Sequence, residues 1–200
     1  MGTIYIIFAS ILWCFLHSYF ASQGFKLVIR KLVGDSYFQK FYRLYYNLFA
    51  FFSLLPVLVM LKVFPDRVLY RIPYPWLYFT LFFQGLAALL IFAAILKTNA
   101  LSFIGLDQFI KIYTDANPER LVSDGFYRYL RHPIYFASLI FIWLTPVMTQ
   151  NLLALWITFS AYIVVGAHLE ERKLLQDFGS EYKEYQSKTP MFIPFLKKWN

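Results

Sequence analysis

Five apolar runs, Ile4–Phe20, Leu44–Val63, Trp76–Leu96, Pro133–Thr149 and Leu152–His168, constrain this chain more than any other feature of it. A bilayer core about 30 Å thick asks for about 20 apolar helical residues, and the first three runs are read as spans on that ground. The last two are separated only by Gln150 and Asn151, and read as an antiparallel helical hairpin that crosses out and back. The rest of the chain agrees. Hydrophobic residues make up 60% and charged residues 15%, against about 45–50% and about 25% in soluble domains. The sequence therefore predicts an all-α integral membrane protein with about five transmembrane helices. It reads as a single domain over residues 1–200, with three N-terminal spans in 1–97 and a loop, the hairpin and a C-terminal tail in 98–200.

Basic residues set the orientation. Of the 19, sixteen fall in the loop between the first two runs, in the loop between the third and fourth, or after the fifth, while the other side holds only Lys62, Arg67 and Arg71. The N-terminus is expected outside and the C-terminus in the cytoplasm, in the plasma membrane of a prokaryote ahead of the endoplasmic reticulum. Met1-Gly2-Thr3 lacks the positive n-region of a secretory signal, so the first run is read as a retained anchor. The net charge of +8 is assigned to the anionic bilayer surface, with no nucleic acid and no obligate protein partner expected. A lone Cys14 excludes an intrachain disulfide. There is no Gly-rich dinucleotide fingerprint, phosphate loop, Ser nucleophile elbow or Cys/His cluster with metal spacing.

Polar residues gather in two blocks, LVSDGFYRYLRHPIY (121–135) and EERKLLQDFGSEYKEY (170–185), at the ends of the hairpin, which brings them together. Pro133 suits a first helical position and holds His132 extended outside it. A helix N-terminus with free N–H groups beside Arg131 and His132 favours a carboxylate. Arg128 is read as snorkelling at the surface. Glu170 and Glu171 follow the fifth run directly, where a carboxylate either faces a cation such as an ammonium or sulfonium, or pairs with Arg131, Arg172 or Lys173. His17, Ser18 and His168 are read as interfacial hydrogen-bonding groups. The segment Phe178–Tyr185 is expected to be an amphipathic helix covering the pocket.

Taken together, Gly-x-Tyr, Arg-His-Pro-x-Tyr, Glu-Glu and Phe-Gly-x-x-Tyr-x-x-Tyr over the last 80 or so residues resemble the membrane methyltransferase superfamily of isoprenylcysteine carboxyl methyltransferase and phospholipid N-methyltransferases. FIGLDQ, RHPIYFASLIFIWLTPVMT and PMFIP are most similar to its methanethiol S-methyltransferase branch. The resemblance implies S-adenosylmethionine in a cytoplasm-facing pocket. Its contacts fall on Gln108, Glu119, Arg120, Leu121, Val122, Tyr127, His132, Pro133, Ile134, Tyr135 and Glu170.

His132 and Tyr135 are the expected catalytic residues, with Arg131, Gly166 and Glu171 toward the acceptor and no metal. In the prenylcysteine enzymes an Arg stands where this chain has Gly166. Its loss favours a small or lipophilic thiol over a carboxylate. Carboxyl methylation of isoprenylcysteine, N-methylation of a phospholipid, and a non-catalytic membrane subunit are the alternatives.

Overall fold

In the computed structural model, which describes residues 1–97 and 121–194, the chain runs through α1 (Gly2–Ala21), α2 (Gln23–Val33), α3 (Asp35–Val63), β1 (Val68–Arg71) and α4 (Trp76–Lys97). After the residues outside that description come a 3-10 turn (Gly125–Arg128), α5 (Pro133–Trp143), β2 (Val147–Thr149) and α6 (Gln150–Lys188). Helices α1, α3, α4 and α6 are long and apolar enough to cross a bilayer. Large apolar side chains such as Phe8, Phe52 and Phe82 point outward from them. A contiguous exposed apolar surface of that kind is at equilibrium in lipid. The chain is a multi-pass membrane protein.

The described residues form two compact units. The first holds 1–71 and 147–159. Its core is Ile6 of α1, Val57 of α3 and Leu155 of α6, with Trp13, Phe64 and Phe159 packed around them. Polar groups inside it are satisfied locally, as burial in an apolar medium demands. Trp13 donates its indole N–H to Ser53 Oγ (3.0 Å), and the fully buried Asn151 accepts from Thr3 Oγ1 (2.6 Å) and donates to the Pro65 carbonyl (3.2 Å). Strands β1 and β2 pair antiparallel, Arg71 opposite Val147 and Val68 opposite Thr149.

The second unit holds 72–97, 121–146 and 160–194, and α4 packs against α5 within it. The fourth apolar run departs here from a full helical span. Helix α5 has 11 residues, about 16 Å at 1.5 Å per residue. Pro146 has no N–H and disfavours a helical Thr145 before it, and the Thr145 hydroxyl donates back to the Ile142 carbonyl at 2.6 Å. The β-branched Val147 and Thr149 then enter the sheet. Gln150 and Asn151 are not the corner. Thr149 accepts from the Leu152 N–H at 3.2 Å and so caps α6, which already contains both residues. The tail helix differs from expectation as well. Gly179 sits at φ 55° and ψ −121° inside α6, and the helical stretch beyond it runs to Lys188.

Candidate functional site

Pro133 opens α5, and His132 is its N-cap with φ −125° and ψ 64°, extended as a pre-proline residue must be. The three residues Leu130, Arg131 and His132 are all buried. Arg131 and His132 are held by backbone bonds to the chain after α6. Arg131 N–H donates to the Pro190 carbonyl (3.0 Å) and His132 N–H to that of Met191 (3.2 Å). His132 lies between two rings, stacked on Tyr135 at 5.3 Å and 14°, with Phe192 at 5.9 Å.

Helix α6 brings two adjacent carboxylates to this corner, and their surroundings differ. Glu171 is 13% exposed and receives four donors. Arg131 Nε (2.5 Å), His132 Nε2 (3.3 Å) and Tyr182 Oη (3.3 Å) converge on its Oε1, and Gln186 Nε2 (3.0 Å) reaches Oε2. Burial opposes ionisation of Glu171, but the hydrogen bonds from His132 and Arg131 and the guanidinium charge outweigh it and hold the carboxyl at about 2. Arg131 completes its own set by donating Nη1 to the carbonyls of Gln186 (3.1 Å) and Thr189 (2.7 Å).

Glu170, by contrast, is 44% exposed. It accepts from the Tyr135 hydroxyl at 2.8 Å and stands 3.8 Å from His132 Nδ1. Burial and the charge of Glu170 together push the Tyr127 phenol up to about 12. The open carboxylate thus sits among two aromatic rings and the N-terminus of α5.

The alternatives left by the sequence for the two glutamates resolve separately: Glu171 pairs with Arg131, while Lys173 faces Asp177 at 4.0 Å. Gly166, one turn before Glu170, has open space where a side chain would begin. Ile134 follows Pro133 in the first turn of α5, and Leu121 and Val122 are half-buried ahead of the 3-10 turn. Gln108, Glu119 and Arg120 lie outside the described residues. His17 meets the Tyr46 hydroxyl at 2.9 Å, and His168 Nδ1 faces the Val164 carbonyl of its own helix.

Sequence reasoning held Tyr182 and Tyr185 in the Phe-Gly-x-x-Tyr-x-x-Tyr motif without giving either a role, and missed Gln186 and Thr189. Burial raises the Tyr185 phenol, whose hydroxyl donates to the Tyr127 carbonyl, and Tyr182 is fully buried. The signal was present: Tyr182, Tyr185 and Gln186 at i, i+3 and i+4 share one face of the helix that follows Gly179, and Thr189 comes directly after its last residue.

Residues 82–181 match the family model described as phospholipid methyltransferase, half of the chain. The chain is 33% identical over 184 residues to methanethiol S-methyltransferase 1 of Bradyrhizobium diazoefficiens, covering 90% of this chain and 63% of that protein. It is 30% identical over 190 residues to the methanethiol S-methyltransferase of Mycobacterium tuberculosis, covering 90% and 72%. Protein-S-isoprenylcysteine O-methyltransferase of Schizosaccharomyces pombe is 30% identical over 125 residues, 52% of this chain and 51% of the relative. Against the methanethiol S-methyltransferases of Crocosphaera subtropica and a Pseudomonas species, the chain spans about half the relative's length. No solved structure matches.

Proposed function

Because the chain belongs to the phospholipid methyltransferase family, we propose that it is an S-adenosylmethionine-dependent membrane methyltransferase whose acceptor is a small or lipophilic thiol. The observation that carries this reading is the contrast between neighbouring glutamates, one consumed by four donors and one open among aromatic rings. The donor set fits the cofactor. Glu170 with Tyr127 and Tyr135 suits a cation of the ammonium or sulfonium kind. The first turn of α5 presents N–H groups without intrahelical partners to a carboxylate. Leu121 and Val122, with Gln108, Glu119 and Arg120, complete the cofactor contacts in this proposal. Bound there, S-adenosylmethionine supplies an electrophilic methyl group.

The chain's own residues then have to align the acceptor, exclude water and remove a proton. A neutral His132 ring whose Nε2 donates to Glu171 carries its lone pair on Nδ1, the nitrogen on the Glu170 side. A thiol of pKa about 8.5 must lose its proton to become the nucleophile. Nδ1 takes that proton, and Glu171 stabilises the imidazolium that results. Arg131 and Glu171 are positioning residues in this scheme. The Arg131 guanidinium is committed to Glu171, Gln186 and Thr189 and is not offered to a carboxylate acceptor, which supports a thiol over prenylcysteine. The space at Gly166 admits the acceptor.

We place the pocket on the cytoplasmic side of a prokaryotic plasma membrane, in a single domain whose α5 and α6 form the helical hairpin. Purified protein incubated with isotope-labelled S-adenosylmethionine, methanethiol, longer thiols, a prenylcysteine analogue and phosphatidylethanolamine tests the proposal. Label is expected in a thioether. Label in a base-labile ester or in the phospholipid overturns the acceptor, and failure to bind the cofactor overturns the enzyme reading.

A further inference from the structure

Helix α2 sorts its residues around its axis. Phe25, Val28, Ile29, Leu32 and Val33 fall on one arc, and Gln23, Lys26, Arg30 and Lys31, with Leu27 among them, on the rest of the circumference, Lys26 and Lys31 bordering the apolar arc. It begins where the Ser22 hydroxyl accepts from the Phe25 N–H (3.3 Å) and ends at Gly34, whose φ of 83° turns the chain into α3. At 11 residues it is too short to cross a bilayer. A helix of this polarity beside spanning helices lies in the membrane interface.

Between its apolar arc and α3 lies a cavity of about 300 Å³. Phe25, Ile29 and Val33 line one side, and Tyr42, Tyr46 and Phe49 the other. The tyrosine hydroxyls are turned to protein partners. Tyr42 donates to the Phe20 carbonyl, Tyr46 meets His17 at 2.9 Å, and Tyr37 meets Tyr45 at 3.2 Å. The wall left to an occupant is therefore aromatic and aliphatic. The segment around it carries Lys26, Arg30, Lys31, Lys40 and Arg43 against a single acid, Asp35, which is paired with Arg30.

We propose that this is a site for one anionic phospholipid, with an acyl chain in the cavity and the phosphate at Lys26 and Lys31, the cations that border the apolar arc of α2 on its two sides. An apolar wall holds any acyl chain, whereas the excess of cations selects the charge of its headgroup. The site lies wholly in the first unit and is independent of the methyl-transfer reading.

Native mass spectrometry of the full chain in detergent, titrated with phosphatidylglycerol or with phosphatidylcholine of the same chains, tests it. Phosphatidylglycerol is expected to bind one site about tenfold more tightly. Ile29→Trp, which fills the cavity, should abolish that binding. The double variant Lys26→Gln, Lys31→Gln should bring phosphatidylglycerol down to the affinity of phosphatidylcholine. That double variant leaves the cavity wall intact, so it decides the question where Ile29→Trp does not fold. Equal affinity of the wild type for the two lipids overturns the proposal, as does unchanged binding in the charge variant. Displacement by millimolar inorganic phosphate overturns the acyl-chain part. Displacement by a neutral long-chain thiol but not by phosphatidylcholine would make the cavity an acceptor site instead, and overturn it too.

Discussion

Glu170 and Glu171 are neighbours with opposite situations, and substitutions should separate them. Removing the charge of Glu171 leaves Arg131 buried without its partner, a loss of about 3 kcal/mol. Glu171→Gln should therefore lower stability measured by denaturant unfolding in detergent, while Glu170→Gln stays near the wild type. The cofactor titration should show the reverse ranking, with Glu170→Gln weakened about tenfold or more. The same pair gives a pH dependence. The Glu171 carboxyl is held at about 2 against an ordinary 4.5. Its contribution is complete above the ordinary value and lost as pH falls from 4.5 toward 2, because the unfolded state then binds more protons. Wild-type unfolding free energy should fall through that window, and Glu171→Gln should flatten the fall. A wild-type profile with no slope there would remove the tight Arg131–Glu171 pair from the account.

At the scale of elements, the positions of the apolar runs were legible and their ends were not. Pro133 announced the start of α5 because proline fixes its own φ and its predecessor's conformation. The same rule, applied to Pro146, foretells that Thr145 leaves the helix, yet the apolar letters continue to Thr149 and hide the change to a strand. That Glu171 rather than Glu170 takes Arg131 could not be read from sequence, because both glutamates and three cations are within reach on paper. Choosing among them required the path of residues 182–192, which Gly179 redirects. Its φ of 55° makes that dependence testable. Gly179→Ala places a Cβ in the left-handed region at about 1 kcal/mol. The Tyr182 and Gln186 bonds should loosen with it, read as faster amide exchange across 182–192. Gly166 tests the acceptor. With nothing within 4 Å of a Cβ there, Gly166→Arg should fold normally, reduce thiol turnover about tenfold or more, and raise transfer to a prenylcysteine carboxylate.

For the whole molecule, the question is how a chain whose described residues include four long apolar helices and the short α5 crosses the membrane. The start of α4 and the end of α5 are tied by the Ile72 N–H to the Pro146 carbonyl (2.9 Å), and the end of α4 and the approach to α5 by Lys97 to Asp124 (2.6 Å). Helix α4 has 22 residues, about 33 Å at 1.5 Å per residue. The segment from Asp124 to Pro146 must therefore travel that distance back, although α5 supplies only about 16 Å of it. The remainder is made by the 3-10 turn before α5 and by Leu144–Pro146 after it. The backbone beyond Pro146 finds its partners in β1, as an extended segment near lipid requires. In the topology proposed above, this return supplies the fifth crossing. That proposal has the basic residues keep the α1–α2 corner and the stretch after His168 on the cytoplasmic side. In a Cys14→Ser background, single cysteines at Gln23, Tyr70 and Gln176 report the topology through an impermeant maleimide. Tyr70→Cys should label in intact cells, and Gln23→Cys and Gln176→Cys only after permeabilisation. External labelling of both Tyr70→Cys and Gln176→Cys would mean that the return does not cross, and would move the site of His132 and Glu170 to the outer face.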